Sequence, residues 1–222
     1  MKENIWCLEN VNLYHILCPH KLKGYSKGHF QNYKSGDFIY FPGDTSKGIF
    51  MISKGKVKIV SYNKNGDEVV KAILGKGEIF GEKAILGSNE RADYAMACTE
   101  PTLLCPMDLP SMYELMRNNK KFGLSIYKLI GLRIKKMERR FESLLFHDVR
   151  TRLCEFIKDL AEEKGVKRGD MICVTHFYTQ KDFADLIGTK RETVTRLFNE
   201  LKQEEIIDYS RKEIQIYCLE KL

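Results

Sequence analysis

The sequence has no long apolar run, and it lacks the sequence patterns of common enzymes. None of its apolar stretches is long enough to span a bilayer, and its first thirty residues are too charged for a signal peptide. It contains no G-x-S-x-G elbow, phosphate-binding loop or H-E-x-x-H, and no His/Cys/Asp grouping that suggests a nucleophile. We therefore expect a cytoplasmic protein that is not an enzyme and that does not associate with a membrane.

Paired cysteine spacings are also absent. The seven cysteines are an odd number, and neither Cys7 with Cys18 nor Cys98 with Cys105 has the two-residue spacing common in zinc and iron–sulfur sites. We expect reduced thiols, buried as small apolar side chains, and no metal site.

Positive charge is present in excess, but not where a DNA-binding segment is predicted. The net charge of +7 fits a polyanionic partner. Residues 149–222, however, hold 14 basic and 14 acidic residues, whereas residues 117–140 hold nine basic residues and one acidic residue. A DNA-binding hypothesis must therefore rest on the arrangement of particular side chains.

Two short amphipathic helices separated by a glycine are predicted between Thr179 and Leu201. Apolar residues recur at intervals of three and four on both sides of Gly188, namely Phe183, Leu186, Ile187, Val194, Leu197, Phe198 and Leu201. Thr179 is suited to cap the first helix, and Thr189 with Glu192 has the spacing of a capping box for the second. The pattern predicts a helix-turn-helix.

The outward face of the second helix is suited to reading DNA. Arginine matches guanine O6 and N7, and glutamate accepts a hydrogen bond from cytosine N4. We predict DNA contacts at Thr179, Gln180, Thr189, Lys190, Arg191, Glu192, Thr195, Arg196 and Asn199. The alternative is a solvated helical hairpin, which has no need for an Arg-Glu-x-x-x-Arg face.

Upstream of this motif the periodicity changes twice. Residues 36–107 contain short strand patterns broken by glycines, including an Asn65-Gly66 hairpin signal, and they predict a small antiparallel barrel or sandwich. A coiled-coil seam with steps of three and four follows at Tyr127, Ile130, Ile134, Met137, Phe141 and Leu144. We predict a dimerisation helix over about residues 110–146; the alternative is a helix packed within its own chain.

The remaining signals organise the C-terminal part. Asp148 is suited to cap a new helix, so we place a domain boundary between residues 1–147 and residues 148–222. Segments 206–209 and 213–219 are predicted to form a small hairpin, a wing beside the second helix of the motif.

This order of elements resembles the CRP/FNR family of bacterial transcription regulators. The resemblance rests on Phe80-Gly81-Glu82 with Arg91, on Phe146-x-Asp148-Val149, and on the segment from Asp185 to Arg196. It implies an α+β protein with an N-terminal jelly-roll β-barrel that senses an effector, a long dimerisation helix and a C-terminal winged helix-turn-helix. The implied partners are double-stranded DNA with palindromic, TGTGA-like half-sites, a second copy of the chain and RNA polymerase. The alternative is a sensor module that does not read DNA.

The effector site departs from the pattern of the family's cyclic-AMP binders. The resemblance places an effector pocket at Gly81, Glu82, Arg91, Ala92, Met137 and Glu138. Ala92 replaces a hydroxyl residue, Asp93 stands close enough to repel a phosphate or to occupy Arg91, and Met137-Glu138 replaces the Thr-Ser pair that receives adenine. Cyclic AMP is therefore not expected; the alternative role for Glu82 and Arg91 is a structural ion pair. Haem remains open, with axial ligands among His15, His20, His29, Cys98 or a methionine.

Overall fold

The chain forms two compact units in the computed structural model, which describes residues 30–222. Among these residues, one unit comprises residues 30–135 and the other residues 136–222. The domain boundary placed between residues 147 and 148 stays a prediction. Within the described part, no helix is both long enough and apolar enough to cross a membrane.

The first unit contains eight strands in two antiparallel sheets. The strands are β1 (Gln31–Tyr33), β2 (Phe38–Tyr40), β3 (Gly48–Lys54), β4 (Val57–Tyr62), β5 (Glu68–Leu74), β6 (Ile79–Phe80), β7 (Tyr94–Ala97) and β8 (Thr102–Asp108). One sheet has the order β1-β8-β3-β6 and the other β2-β7-β4-β5. The antiparallel jelly-roll arrangement that the resemblance implies is confirmed, and its strands are assigned to two sheets.

Apolar side chains from both sheets fill the space between them. Val57 of β4, Ala95 of β7 and Leu104 of β8 are fully buried in one cluster, and Phe80 of β6 joins them. The predicted hairpin at Asn65-Gly66 connects β4 to β5, and Gly66 has a φ of 83°, which a glycine adopts without strain. The close packing of the two sheets fixes the positions of the polar residues at their ends.

Two helices follow where the sequence predicts one. They are α1 (Leu109–Asn118) and α2 (Lys120–Phe146). Asn119 between them is extended, with φ −130° and ψ 96°, and its side-chain oxygen accepts a hydrogen bond from the backbone N–H of Phe122 at 3.1 Å. The region assigned to the dimerisation helix, about residues 110–146, is thus divided between α1 and α2, because an asparagine cap starts a new helix after Asn119.

The second unit contains the end of α2 and all later elements. They are α3 (Val149–Lys164), β9 (Val166–Arg168), β10 (Met171–Thr175), α4 (Gln180–Ile187), α5 (Arg191–Gln203), β11 (Ile207–Tyr209) and β12 (Glu213–Ile216). Asp148 caps α3 as predicted, since its carboxylate accepts from the Thr151 N–H at 2.7 Å. The predicted wing is confirmed as β11 and β12. These two strands continue into a four-stranded sheet, β11-β12-β10-β9, which the sequence analysis did not predict.

Candidate functional site

The first helix of the predicted motif begins at a complete capping box. The Thr179 side chain accepts from the backbone N–H of Asp182 at 3.1 Å, and the Asp182 carboxylate accepts from the backbone N–H of Thr179 at 2.8 Å. This satisfies two amide groups that the start of α4 would otherwise leave without partners. The cap predicted at Thr179 is confirmed.

The capping box predicted for the second helix is wrong. The residue before α5 is Lys190, and it makes no side-chain capping bond. Gly188 ends α4 with a φ of 71°, and the Thr189 N–H donates to the Ala184 carbonyl at 2.9 Å. Thr189 is therefore part of the termination of α4, and α5 begins after Lys190.

The two faces of α5 separate as the periodicity predicts. Val194, Leu197, Phe198 and Leu201 are buried. The opposite face lines an open groove with Arg191, Glu192, Thr195, Arg196 and Asn199, and among these only Thr195 is partly covered. Since helix formation brings these five side chains together without burying them, they are available to a ligand outside the protein.

Hydrogen bonds connect this exposed face to its neighbours. The Thr195 hydroxyl donates to the Gln180 side chain at 2.6 Å, which joins α5 to the start of α4. The Tyr209 hydroxyl donates to the Asn199 side-chain oxygen at 2.9 Å, which joins α5 to the wing. The sequence analysis missed Tyr209, because the bond depends on how the wing packs against α5. Of the other residues predicted to contact DNA, Thr179 and Lys190 are exposed and Thr189 is partly covered.

The second candidate site is a cavity in the first unit, where Arg91 already donates hydrogen bonds to the protein backbone. The Arg91 guanidinium donates to the carbonyl oxygens of Gly81 at 2.9 Å and Gly48 at 2.6 Å, and it stacks on the Tyr40 ring at 4.6 Å. Arg91 is only 7% exposed. An arginine in this position is held by the protein itself before any ligand arrives.

Asp93 has partners other than Arg91. Its carboxylate lies 3.2 Å from Lys71 Nζ and 3.1 Å from Lys83 Nζ, and it accepts a hydrogen bond from the Tyr40 hydroxyl. Burial alone would raise the pKa of Asp93, but the hydrogen bonds from Lys83 and Lys71 outweigh burial and hold the pKa below its usual value. The expectation that Asp93 occupies Arg91 is therefore wrong.

Glu82 is paired with a residue of the long helix. Arg133 Nη1 of α2 lies 3.0 Å from Glu82 Oε2, and it also donates to the Ile79 carbonyl at 3.1 Å. Glu82 and Arg91 therefore do not form the ion pair that was expected as the alternative. Each has another contact within the protein: Glu82 pairs with Arg133, and Arg91 donates to two backbone carbonyl oxygens. Lys71, Lys83 and Arg133 were not predicted from the sequence, because their contacts depend on how the strands and α2 pack together.

The structure brings together four of the six residues placed in the effector pocket. Gly81, Glu82, Arg91 and Ala92 line one cavity of about 90 Å³. Met137 and Glu138 are exposed on α2 in the second unit, and their part in a pocket stays a prediction.

The predicted seam of α2 is exposed along its length. Tyr127, Ile130, Ile134, Met137, Phe141 and Leu144 are between 42% and 67% exposed in the single chain. A row of large apolar side chains open to solvent marks an interaction surface.

Only some of the cysteines and histidines considered as ligands lie among the described residues. Among the described cysteines, Cys105, Cys154 and Cys173 are buried, whereas Cys98 and Cys218 are partly exposed. Residues 30–222 contain no cluster of three or more His, Cys, Asp or Glu that could hold a metal ion. Cys7, Cys18, His15, His20 and His29 lie outside the described residues.

Two family models match the two ends of the described chain. A cyclic nucleotide-binding domain model matches residues 30–119, and a Crp-like helix-turn-helix domain model matches residues 151–222. The chain belongs to the CRP/FNR family. Members of this family are DNA-binding transcription regulators, and the second match favours this function over a sensor module without DNA readout.

Curated relatives are similar to this chain over most of its length, and a solved structure shares its fold. The "Global nitrogen regulator" of Nostoc sp. is 27% identical over 84% of each chain. The "CRP-like cAMP-activated global transcriptional regulator" of Mycobacterium tuberculosis is 26% identical over 86% of this chain and 85% of its own. The structure of a CooA mutant from Carboxydothermus hydrogenoformans has a TM-score of 0.77 at 23% identity, covering 98% of this chain and 96% of that one.

Proposed function

We propose that this CRP/FNR-family chain is a homodimeric regulator that reads an inverted repeat in DNA through the exposed face of α5. The observation that carries the proposal is the exposed set Arg191, Glu192 and Arg196 on a helix whose opposite face is buried. A helix with basic and acidic side chains near its N-terminus is the element that enters the major groove in helix-turn-helix proteins. The resemblance to the family implies that Arg191, Glu192 and Arg196 read the G·C pairs of a TGTGA-type half-site, and all three are exposed at this face.

The second half of the proposal is a dimer formed along α2. The exposed seam of α2 supports pairing with an identical helix, and a palindromic DNA site requires a two-fold axis. The two half-sites are then expected about one helical turn apart, roughly 34 Å, on one face of the duplex. RNA polymerase is the further partner that a transcription regulator of this kind implies.

Selection from a random DNA pool tests the base reading. Enriched sites should contain an inverted repeat, and Arg191→Ala or Arg196→Ala should each cost about 1–3 kcal/mol per half-site and relax the preference at one base pair. Lys190→Ala serves as the control: if Lys190 meets only phosphate, its loss should weaken all sequences alike and flatten the salt dependence. Sites without an inverted repeat, or wild-type preferences in both arginine variants, would contradict the proposal.

The effector is proposed to be a molecule other than cyclic AMP, although the relative from Mycobacterium tuberculosis is named as cAMP-activated; the relative from Nostoc sp. is named as a global nitrogen regulator. Arg91, the residue that would clasp a cyclic phosphate, already donates to two carbonyl oxygens. The cavity of about 90 Å³ is also well below the roughly 300–1,000 Å³ typical of small-molecule sites. A cyclic nucleotide would therefore have to displace existing contacts and enlarge the cavity.

Calorimetry with cyclic AMP tests this second proposal. The wild-type protein should show weak binding or none, because binding must first break the contacts of Arg91. Micromolar or tighter affinity that is lost in Arg91→Ala would overturn it.

A further inference from the structure

Arg196, the proposed base-reading arginine in the second turn of α5, is held by an acidic neighbour one turn further along. Arg196 Nη1 donates to Glu200 Oε1 at 2.5 Å. Glu200 lines the same open groove as Arg196 and is only partly exposed, whereas the Arg196 side chain is 64% exposed. The carboxylate therefore lies at the reading surface, beside a guanidinium that still faces solvent.

Glu200 is itself held from the side away from Arg196. Arg150 of α3 lies 3.8 Å from the second oxygen of Glu200, and it makes a two-pronged contact with Glu204, at 2.9 and 2.6 Å. The four side chains form an alternating row, Arg196–Glu200–Arg150–Glu204, that connects the reading face of α5 through Arg150 of α3 to the residue that follows α5. Glu200 is thus placed between two cations on two different helices.

The Arg196–Glu200 pair adds little to stability, in contrast to the two-pronged Arg150–Glu204 contact. An exposed ion pair contributes little, and arginine four residues before glutamate is the less favourable order on a helix. The contact between Glu200 and Arg196 can instead orient the Arg196 guanidinium. A guanidinium has five N–H donors in a rigid plane, so a carboxylate that takes one edge leaves other donors for guanine O6 and N7. A side chain held in its binding conformation also loses less freedom when it binds.

We propose that Glu200 is a positioning residue that orients the Arg196 guanidinium toward the base it reads, with Arg150 holding Glu200 in place. The inference rests on the proposed function of α5. Its rival is that Glu200 is only an acidic charge near DNA. That rival predicts that removing the charge tightens binding to every sequence equally, whereas a positioning residue changes the preference at one base pair.

The test uses Glu200→Gln, which keeps the shape of the side chain and removes its charge. Affinities are measured by fluorescence anisotropy for the selected site and for the three substitutions at the base pair that depends on Arg196. Arg196→Ala should lower the preference there about five- to 150-fold. Glu200→Gln should lower it about two- to tenfold, the lower range for coupled residues in one network, and should leave other base pairs unchanged.

Two further variants make the result decisive. Glu204→Gln removes an equal charge from the same row without touching Arg196, and it should leave the preference within about twofold of wild type. In an Arg196→Ala background, Glu200→Gln should have no further effect on the preference, because the group that it positions is gone. Circular dichroism confirms that each variant is folded.

Failure of the inference and failure of the proposed function look different. If Arg196→Ala loses preference but Glu200→Gln keeps it, tightens all sequences alike, or behaves like Glu204→Gln, the positioning role is wrong and the proposed function stands. If Arg196→Ala keeps the wild-type preference, the base-reading role is wrong, and the inference is overturned with it.

Discussion

The polar groups of the cavity and those of the α5 face differ in what they contact. In the cavity of the first unit, Arg91, Asp93 and Glu82 all have partners from the protein itself. On α5, Arg191 and Glu192 are exposed on a helix whose apolar face is buried. The polar side chains of the cavity are bonded to other groups of the protein, and we call them committed groups. The polar side chains of the α5 face are exposed to solvent and available to a partner, and we call them presented groups.

This difference has a physical consequence for substitutions. A committed group contributes to folding, so its loss should appear in the free energy of unfolding. A presented group is surrounded by water in the free protein, so its loss should appear only when the partner is added. The seam of α2 belongs with the presented groups, although its partner is proposed to be a second copy of the chain.

The largest effect is expected for a charge placed in the seam. Ile134→Glu would place an unpaired carboxylate at the dimer axis, which costs about 3–5 kcal/mol when it is buried in the dimer. Sedimentation velocity should then show monomer or unfolded protein where the wild type shows dimer. Lys128→Gln, at an exposed position one residue after the seam residue Tyr127, is the control and should remain dimeric. A folded Ile134→Glu dimer would show that α2 does not pair through this seam.

The buried and exposed faces of α5 were predicted from the sequence better than the contacts in the cavity, because helix periodicity is a local signal. Val194, Leu197 and Leu201 lie within three turns of one helix, so their spacing alone fixes which face is buried. The wrong capping box at Thr189 also has a local cause. Gly188 ends α4 in the left-handed conformation, and this termination includes Thr189, the residue that was predicted to cap α5.

The contacts in the cavity join different strands and loops, and no sequence periodicity encodes them. Arg91 reaches Gly48, 43 residues earlier, and its hydrogen bond depends on the pairing of two sheets. Glu82 meets Arg133 only because α2 lies against the strands of its own unit. The sequence therefore identified which residues surround the cavity but not how they pair.

A glycine substitution tests how strongly the Arg91 guanidinium is held by its hydrogen bonds. A Cβ at Gly81 would lie 2.7 Å from Arg91 Nη1, and the φ of 77° disfavours any other residue. Gly87 has a φ of 81° but open space around it, so Gly87→Ala should cost only the backbone strain, about 1–2 kcal/mol. Gly81→Ala should cost about 1.5–3 kcal/mol more, because Arg91 must also give up a charged hydrogen bond. Urea unfolding measures both, and equal losses would mean that Arg91 moves aside freely.

The smallest effect concerns pH and the carboxylate of Asp93. The pKa of Asp93 is lowered in the folded protein: burial opposes the charged form, but Lys83 and Lys71 stabilise it more. A carboxyl group with a lowered pKa stabilises the fold above its unfolded pKa, and that stabilisation is lost as the pH falls through the folded pKa. The free energy of unfolding of the wild type should therefore fall more steeply on acidification than that of Asp93→Asn.

The expected result is a pair of curves that converge at low pH. At neutral pH, Asp93→Asn should be less stable, since Lys71 and Lys83 then lie close together without their shared carboxylate. At acidic pH the wild type carries the same neutral group, so the difference should disappear. Glu68→Gln, which removes an exposed carboxylate from β5, corrects for the change in net charge. Urea unfolding across the acidic range provides the curves; if they stay parallel, Asp93 is not held by its two lysines, and the cavity is less committed to the fold than its contacts indicate.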